Sequence, residues 1–317
     1  MSRRWKKRLI LFVLGSICLG SCANLVAADK KAAATDKKDT DPHAILLTHA
    51  MQLFREAKYH EAEAEFRTLL ADDEKIHGLD HADTLQDRKN LAIVLGVEGD
   101  FLGAETVLHE AIDLETGILG KENKDVLEFR EILASTLARE GRPTEAIHEF
   151  REILATRESI AGPDDVGVAR ARSNLGSTLV DQGQFQEAER LLRVAQPILE
   201  KKTGQNDAAA LLNRTNLSKA LLGLNRFADA EKEQRALLAS LQQLVGDGHP
   251  EVALARLTLA ATLRAEQKNA EALELARHAA TRLAEVMGPD HPKVKEAREL
   301  VRALEAGAPA PKAARTP

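Results

Sequence analysis

Apolar residues recur along the chain with the spacing i, i+3, i+4 and i+7, which places them on one face of an α-helix. Two such faces follow one another within residues 78–119. They are formed by Leu91, Ala92 and Leu95 and by Ala104, Leu108, Ala111 and Ile112. Gly99 and Asp100 lie between the two faces and favour a tight turn. The pattern therefore predicts a helical pair, helix A followed by helix B.

This helical pair repeats every 42 residues without an insertion. Three columns of identical residues keep the step: Gly78, Gly120, Gly162, Gly204, Gly246 and Gly288; Leu53, Leu95, Leu137, Leu179, Leu221 and Leu263; and Ala62, Ala104, Ala146, Ala188, Ala230 and Ala272. The glycines lie where each helix B is expected to end in left-handed backbone. A fixed period of this kind is typical of solenoids. The predicted units are 36–77, 78–119, 120–161, 162–203, 204–245 and 246–287, with a capping helix at Pro292–Leu304.

Composition supports an all-α fold and narrows the range of partners. Aromatic residues make up only 3% of the chain, which is otherwise rich in the helix-favouring residues Ala, Leu, Glu and Arg. The net charge is −5, so nucleic acid is not an expected partner. Cys18 and Cys22 are the only cysteines, and the predicted helical region therefore has neither a disulfide nor a cysteine-based metal site.

Several positions of the repeat carry a resemblance to a known family. Within the second unit they are Asn90, Leu91, Ala92, Leu95, Gly99, Phe101, Ala104, Glu105 and Ala111. The pattern resembles the tetratricopeptide repeat, in the 42-residue form found in kinesin light chains and many bacterial scaffolds. Over residues 42–305 the resemblance implies a right-handed superhelical solenoid of antiparallel helix pairs that binds proteins or peptides in its concave groove. Pro143, Asn225 and Gln267 depart from the pattern, so irregular turns are expected there.

The N-terminal segment has the features of an export signal. Basic residues between Arg3 and Arg8 precede the apolar run Leu9–Leu19. This run suits a signal peptide, whereas a membrane anchor, the alternative, needs about twenty apolar residues. Leu19-Gly20-Ser21-Cys22 resembles the lipobox of bacterial lipoproteins, which implies cleavage before Cys22 and lipidation of its sulfur. Ordinary cleavage after Ala28 is the alternative.

These assignments divide the chain into four segments. They are a signal peptide at 1–21, a flexible tether at 22–41, the repeats at 42–305 and a disordered tail at 306–317. The segments predict an exported protein on the periplasmic side of a bacterial membrane, held there by a lipid anchor. A soluble periplasmic or secreted form is the alternative.

No arrangement of residues in the sequence points to catalysis. The sequence has no P-loop, nucleophile elbow, glycine-rich dinucleotide turn or haem-attachment motif. The ten histidines show no metal-binding spacing, and Gly78 separates His77 from His81, so these two do not share a helix face. The sequence therefore predicts that the protein is not an enzyme and needs no cofactor or metal.

An arginine occupies the same position of helix A in five units and in the capping helix, at the edge of the predicted buried face. The column comprises Arg88, Arg130, Arg172, Arg214, Arg256 and Arg298. Carboxylates of helix B are candidate partners, namely Glu63, Glu105, Glu189 and Glu231, as are carbonyl groups at helix ends. Two interpretations stay open: the arginines lock adjacent repeats together, or they bind a ligand.

Asparagine follows three of these arginines by two positions, at Asn90, Asn174 and Asn216. Helix geometry places Asn174 beside the buried face, and an amide can pair with both polar groups of a peptide backbone. In the similar kinesin light chains, the corresponding asparagine lines the inner surface and contacts peptide. We therefore expect a peptide-binding groove here, and bonding of the asparagines to adjacent helices is the alternative. Flanking residues expected on or near the same surface are Ser135, Arg139, Arg170, Ser177 and Lys219.

These observations predict a monomeric scaffold or adaptor of the bacterial cell envelope that binds protein or peptide partners. The alternative is a non-catalytic subunit or structural component of an envelope enzyme or assembly complex. Neither interpretation requires a catalytic residue.

Overall fold

The computed structural model describes residues 42–307. The predicted signal peptide, Cys22, the tether and the tail from residue 308 lie outside this range. Within it, thirteen α-helices and no strand are present, which confirms the all-α fold class. Short turns join consecutive helices, and such turns place neighbouring helices antiparallel.

Helices A and B alternate along the described residues. The A helices are α1 (Pro42–Arg55), α3 (Ala82–Glu98), α5 (Lys124–Glu140), α7 (Val166–Asp181), α9 (Ala208–Gly223), α11 (Pro250–Ala265) and α13 (Pro292–Glu305). The B helices are α2 (Tyr59–His77), α4 (Phe101–Leu119), α6 (Pro143–Ala161), α8 (Phe185–Thr203), α10 (Phe227–Val245) and α12 (Asn269–Met287). In this part of the chain, no helix is both long and apolar enough to span a membrane.

The described residues form two compact bodies, residues 42–178 and residues 179–307. Within residues 42–178, Phe66, Phe129 and Phe150 are among the largest fully buried side chains. Residues 179–307 have an aliphatic core between α11, α12 and α13 that includes Leu263 and Leu283. In both bodies every alanine of the 42-residue column has 0% exposure. These alanines occupy positions where a short side chain allows helices to approach closely.

The glycine column that ends the B helices adopts backbone that differs from the expected left-handed helix cap. From Gly78 to Gly288 its φ angles are 78° to 104° and its ψ angles 149° to 175°. This combination of positive φ and extended ψ is essentially restricted to glycine. The expectation of left-handed helical backbone was therefore wrong, and the requirement for glycine is stricter than expected.

The turn inside each repeat has one conformation, including the units where irregular turns were expected. The residue after the turn position donates its N–H to the carbonyl five residues earlier in all six repeats, as for Arg142 to Leu137 (2.9 Å), Arg226 to Leu221 (2.9 Å) and Lys268 to Leu263 (2.9 Å). Asn225 and Gln267 have positive φ angles of 57° and 63°, as the glycines do. The expectation of irregularity was wrong, because this hydrogen bond imposes the same backbone on whichever residue is present.

Replacing Gln267 by glycine is expected to raise the free energy of unfolding by about 1 kcal/mol, since left-handed backbone is unfavourable for a residue with a side chain. Gly141 already holds the corresponding turn with a φ of 94°. Urea unfolding of Gln267→Gly beside Gly141→Gln is the measurement, and we expect opposite shifts. A destabilised Gln267→Gly variant would contradict the backbone argument.

Candidate peptide-binding face and its supporting charges

Five of the six column arginines tie their A helix to the chain segment that precedes it, whereas Arg130 bonds Glu149 and Glu152 of the following helix α6. Four of its members donate to the carbonyl nine residues earlier: Arg88 to Leu79 (3.0 Å), Arg172 to Pro163 (2.7 Å), Arg256 to Asp247 (3.4 Å) and Arg298 to Pro289 (3.3 Å). Three bond a carboxylate 14 residues earlier, in the last turn of helix B: Arg88 to Glu74, Arg172 to Glu158 and Arg214 to Glu200. These contacts favour the structural interpretation over ligand binding.

The carboxylates that the sequence offered as partners for these arginines form a separate column of ion pairs. Each of three glutamates meets a basic residue 37 positions later: Glu105 with Arg142 (3.0 Å), Glu189 with Arg226 (3.2 Å) and Glu231 with Lys268 (2.5 Å). Glu63 pairs with Arg67 at 2.8 Å. The reason is directional, because a helical side chain leans toward the N-terminus of its own helix. Most column arginines therefore reach the preceding segment, and Arg130 and Arg214 contact Glu149 and Glu233 further along the following helix B, not the glutamates near its start.

Lys89 is a buried charge that sequence reasoning did not single out. Its ammonium lies 2.7 Å from Asp125 Oδ1 and 2.7 Å from Glu128 Oε2, and 5.2 Å from the centroid of the Phe129 ring. The side chain is 5% exposed, so an unpaired ammonium here would be very unfavourable. Lys89 thus joins α3 to α5, the next A helix, through ionic contacts.

The three asparagines of the predicted groove have different degrees of burial. Asn90 and Asn216 are 0% and 2% exposed, and Asn174 is half-buried. Gln86 donates from Nε2 to Asn90 Oδ1 at 2.9 Å. Among residues 42–307, the side-chain NH2 groups of Asn90 and Asn216 have no acceptor. The two buried amides therefore share one property, an unused donor at equivalent positions of two repeats.

The flanking residues expected near the groove differ in accessibility. Arg170 and Lys219 are exposed, and Ser135, Arg139 and Ser177 are half-buried. The Ser135 hydroxyl donates to Glu131 O within α5 (2.9 Å), and Arg139 donates to Val97 O of α3 (3.3 Å). On α7, the spacing of Arg170, Asn174 and Ser177 puts them on one helix face. The structure thus brings these three together, while Asn216 and Lys219 share a face of α9.

Asn213 is an asparagine with a structural role, because its amide bonds a neighbouring helix. It is buried in α9, and its NH2 group donates to Leu192 O (2.8 Å) and to Gln196 Oε1 (2.7 Å) of α8. Asn216 lies three residues later on the same helix without such an acceptor. The comparison separates a structural amide from one with a free donor.

Glu251 is a buried acid in the first turn of α11, with 1% exposure. Burial raises its pKa from 4.5 to about 8. The folded protein therefore binds a proton that the unfolded chain releases, and stability falls as the pH rises from about 4.5 to about 8. We expect Glu251→Gln, which mimics the neutral acid, to match the wild type at low pH and exceed its stability by about 1 kcal/mol or more at pH 8.

Thermal unfolding of Glu251→Gln at pH 5 and pH 8 checks this expectation. Glu274→Gln is the control, because Glu274 is exposed on the neighbouring helix α12. A wild type that gains stability between these pH values relative to Glu251→Gln would contradict the role of the buried acid.

Comparisons with known proteins agree with this architecture. Residues 125–201 match a family model described as "Tetratricopeptide repeat", and residues 214–251 and 252–293 match a second model of the same description. No curated protein matches the sequence.

Solved structures of other repeat proteins share the fold. One is a kinesin light chain from Podosopora anserina with nearly identical TPR-like repeats, at a TM-score of 0.56 and 20% identity over 64% of this chain and 96% of that chain. Another is BtubC (BKLC) from P. vanneervenii, at a TM-score of 0.59 and 22% identity over 74% of this chain and 92% of that chain. A third is a signal transduction ATPase with a tetratricopeptide repeat sensor from Pyrococcus horikoshii. Its TM-score is 0.64 and its identity 13%, over 84% of this chain and 39% of that chain. At these identities the likeness shows the fold alone. Together with the family models, it establishes that this chain carries tetratricopeptide repeats, which generally mediate protein–protein interaction.

Proposed function

We propose that this protein is a scaffold of the bacterial cell envelope that binds an extended protein or peptide segment through the polar faces of its A helices. The observation that supports this most directly is the unused amide donor at both Asn90 and Asn216. A buried donor without an acceptor is unfavourable by about 1–3 kcal/mol. A peptide carbonyl supplies the missing acceptor, and a repeated amide does not demand a particular ligand side chain.

We propose that movement of the Gln86 side chain opens access to Asn90. Gln86 is hydrogen-bonded to Asn90 and is itself half-buried. Asn174 is half-buried without any rearrangement and lies on the same face of α7 as Arg170 and Ser177. We therefore place first contact with the ligand at the Asn174 face, with the exposed guanidinium of Arg170 favouring segments that carry a carboxylate.

Site-specific photocrosslinking in the producing cells tests this proposal. A photoreactive residue at Ser177 or Lys219 is expected to capture a partner, and the adduct at Ser177 is expected to weaken in an Asn174→Ala background. Lys232, exposed on the B helix α10, is the matched control position. Adducts of equal yield at Lys232, or none at Ser177 and Lys219, would rule out the A-helix face as the binding surface.

A second candidate function, as a structural component of a larger assembly, rests on a different surface. Ile76, Ile118 and Ile160 lie 42 residues apart in the last turns of α2, α4 and α6, and they are 70%, 52% and 53% exposed. Three large aliphatic side chains at equivalent exposed positions favour a lateral protein contact. Crosslinks from Ile118 that disappear in Ile160→Lys, with none from Ser177, would support this second function.

The envelope location rests on the sequence that precedes the repeats. We propose that Cys22 carries lipid and holds the protein on the periplasmic side of a membrane, because an apolar signal segment ends directly in Leu19-Gly20-Ser21-Cys22. Two acyl chains on one residue are sufficient for stable anchoring.

Replacing Cys22 by alanine is expected to move the protein from the membrane fraction to the soluble fraction, since the variant has no acceptor sulfur. Cell fractionation followed by immunoblotting measures the shift, and Cys18→Ala is the control that leaves the lipobox intact. A wild type that is already soluble, or a Cys22→Ala variant that stays on the membrane, would contradict the lipid anchor.

A further inference from the structure

Three helices within residues 42–178 bring a histidine and two aspartates together. His43 lies in the first turn of α1, Asp73 in the last turns of α2 and Asp87 in the first half of α3. His43 Nε2 is 3.2 Å from Asp73 Oδ2 and 3.5 Å from Asp87 Oδ2. One ligand atom from each of the three residues lies within 4.8 Å of the other two. These distances are those of a preformed three-ligand cluster.

Both carboxylates are buried, and each has an oxygen that is not hydrogen-bonded. Asp73 and Asp87 are each 2% exposed. Within residues 42–307, neither Asp73 Oδ2 nor Asp87 Oδ2 has a hydrogen-bond partner. Two carboxylates confined in this way are unfavourable unless a positive charge neutralises them.

We propose that His43, Asp73 and Asp87 bind a divalent transition-metal ion, for which Zn²⁺ is the probe. Zinc takes imidazole nitrogen and carboxylate oxygen at about 2.0–2.2 Å in tetrahedral geometry. Those bond lengths imply ligand atoms about 3.3–3.5 Å apart, and His43 Nε2 lies 3.2 and 3.5 Å from the two aspartate oxygens. One dication and two carboxylates also leave the site without net charge.

His77 lies next to this cluster. Its Nε2 is 4.0 Å from Asp73 Oδ1, the carboxylate oxygen that is not the proposed ligand. Its ring stacks on that of His81 with centroids 4.5 Å apart. The site is reachable, because the side chain of His43 is 33% exposed while the aspartates behind it are covered.

The bound ion would fasten α1 to the two helices that follow it. The three ligands come from α1, α2 and α3, so coordination crosslinks the first repeat to the start of the second. Metal binding to a site of this kind adds to the stability of the folded state, because the unfolded chain does not hold the ligands together. The inference concerns the stability of the first repeat and does not depend on the proposed function.

A second histidine–carboxylate group in the same body serves as an internal control. His60 lies 3.7 Å from Glu63 and 3.5 Å from Glu98. Its side chain is 89% exposed, so water already solvates these charges. The residue types match those of the His43 cluster, but burial is absent, and we expect no specific metal site there.

Isothermal titration of ZnCl₂ into the full chain, stripped with a chelator beforehand, tests the proposal. We expect one saturable site in the wild type, weakened about tenfold or more in His43→Ala and in Asp87→Asn, and unchanged in His60→Ala. Zn²⁺ is also expected to raise the melting temperature of the wild type but not that of His43→Ala. Circular dichroism confirms that the variants fold, and the near-isosteric Asp87→Asn guards against misfolding. Absence of saturable Zn²⁺ binding, or wild-type affinity in both His43→Ala and Asp87→Asn, would overturn the proposal.

Discussion

Replacing Arg172 by alanine is expected to lower the free energy of unfolding by about 2–3 kcal/mol. The guanidinium of Arg172 is 2.7 Å from Pro163 O and 2.7 Å from Glu158 Oε1, and the residue is 7% exposed. The substitution removes two charge-assisted hydrogen bonds and leaves the Pro163 carbonyl without its donor, a loss of this size for partly buried charged groups. The urea concentration at the unfolding midpoint measures the effect.

Arg170 supplies the matched control for this prediction. It lies two residues earlier on α7, and it is exposed. Removing an exposed side chain usually changes stability by no more than about 0.5 kcal/mol, so Arg170→Ala is expected to unfold like the wild type. If Arg172→Ala also unfolds like the wild type but loses a captured partner, the arginine column belongs to ligand binding.

Replacing Gly162 by alanine is expected to lower the free energy of unfolding by about 2 kcal/mol. Gly162 ends α6 with a φ of 78° and a ψ of 168°, a region that is unfavourable for residues with a Cβ by about 1–3 kcal/mol. A Cβ at this position would meet no atom within 4 Å. The loss therefore comes from the backbone alone, and thermal unfolding measures it.

Gly117→Ala is the control with the opposite expected sign. Gly117 lies inside α4, and a Cβ there would also meet nothing within 4 Å. Alanine in a helix interior is favoured over glycine by about 0.5–1 kcal/mol. Two variants of identical chemistry are thus expected to shift the melting temperature in opposite directions. Equal shifts would contradict the assignment of Gly162 to a backbone region that only glycine tolerates.

The fold was predictable because its determinants recur at a fixed interval. The leucine column that includes Leu95 and the alanine column that includes Ala104 repeat in every unit, and all their members are buried. Because the same pattern occurs in every repeat, one repeat that departs from it does not obscure the fold. Gln267 is an example, since the turn keeps its shape there although the expected glycine is absent.

The candidate sites were less predictable because they depend on side-chain direction and on contacts between helices. The sequence could not show that Arg172 reaches backward to Glu158 and Pro163. It also could not show that Asn90 and Asn216 are covered by neighbours. His43, Asp73 and Asp87 are separated by 30 and 14 positions and share no helix. Only the packing of three helices brings them together, so a search for local metal-binding spacing does not find them.

Lys89 has a consequence for how an array of this kind can change during evolution. The residues equivalent to its partners Asp125 and Glu128 in the following repeat are Gly167 and Arg170. An in-register deletion of 42 residues between α3 and α7 would preserve the backbone period but place the buried ammonium beside glycine and a second cation. At this junction the repeats are therefore alike in main chain but not exchangeable in order, because the ammonium of Lys89 is paired only by carboxylates of its own neighbour. Duplication or loss of a repeat at this junction requires a compensating substitution at position 89.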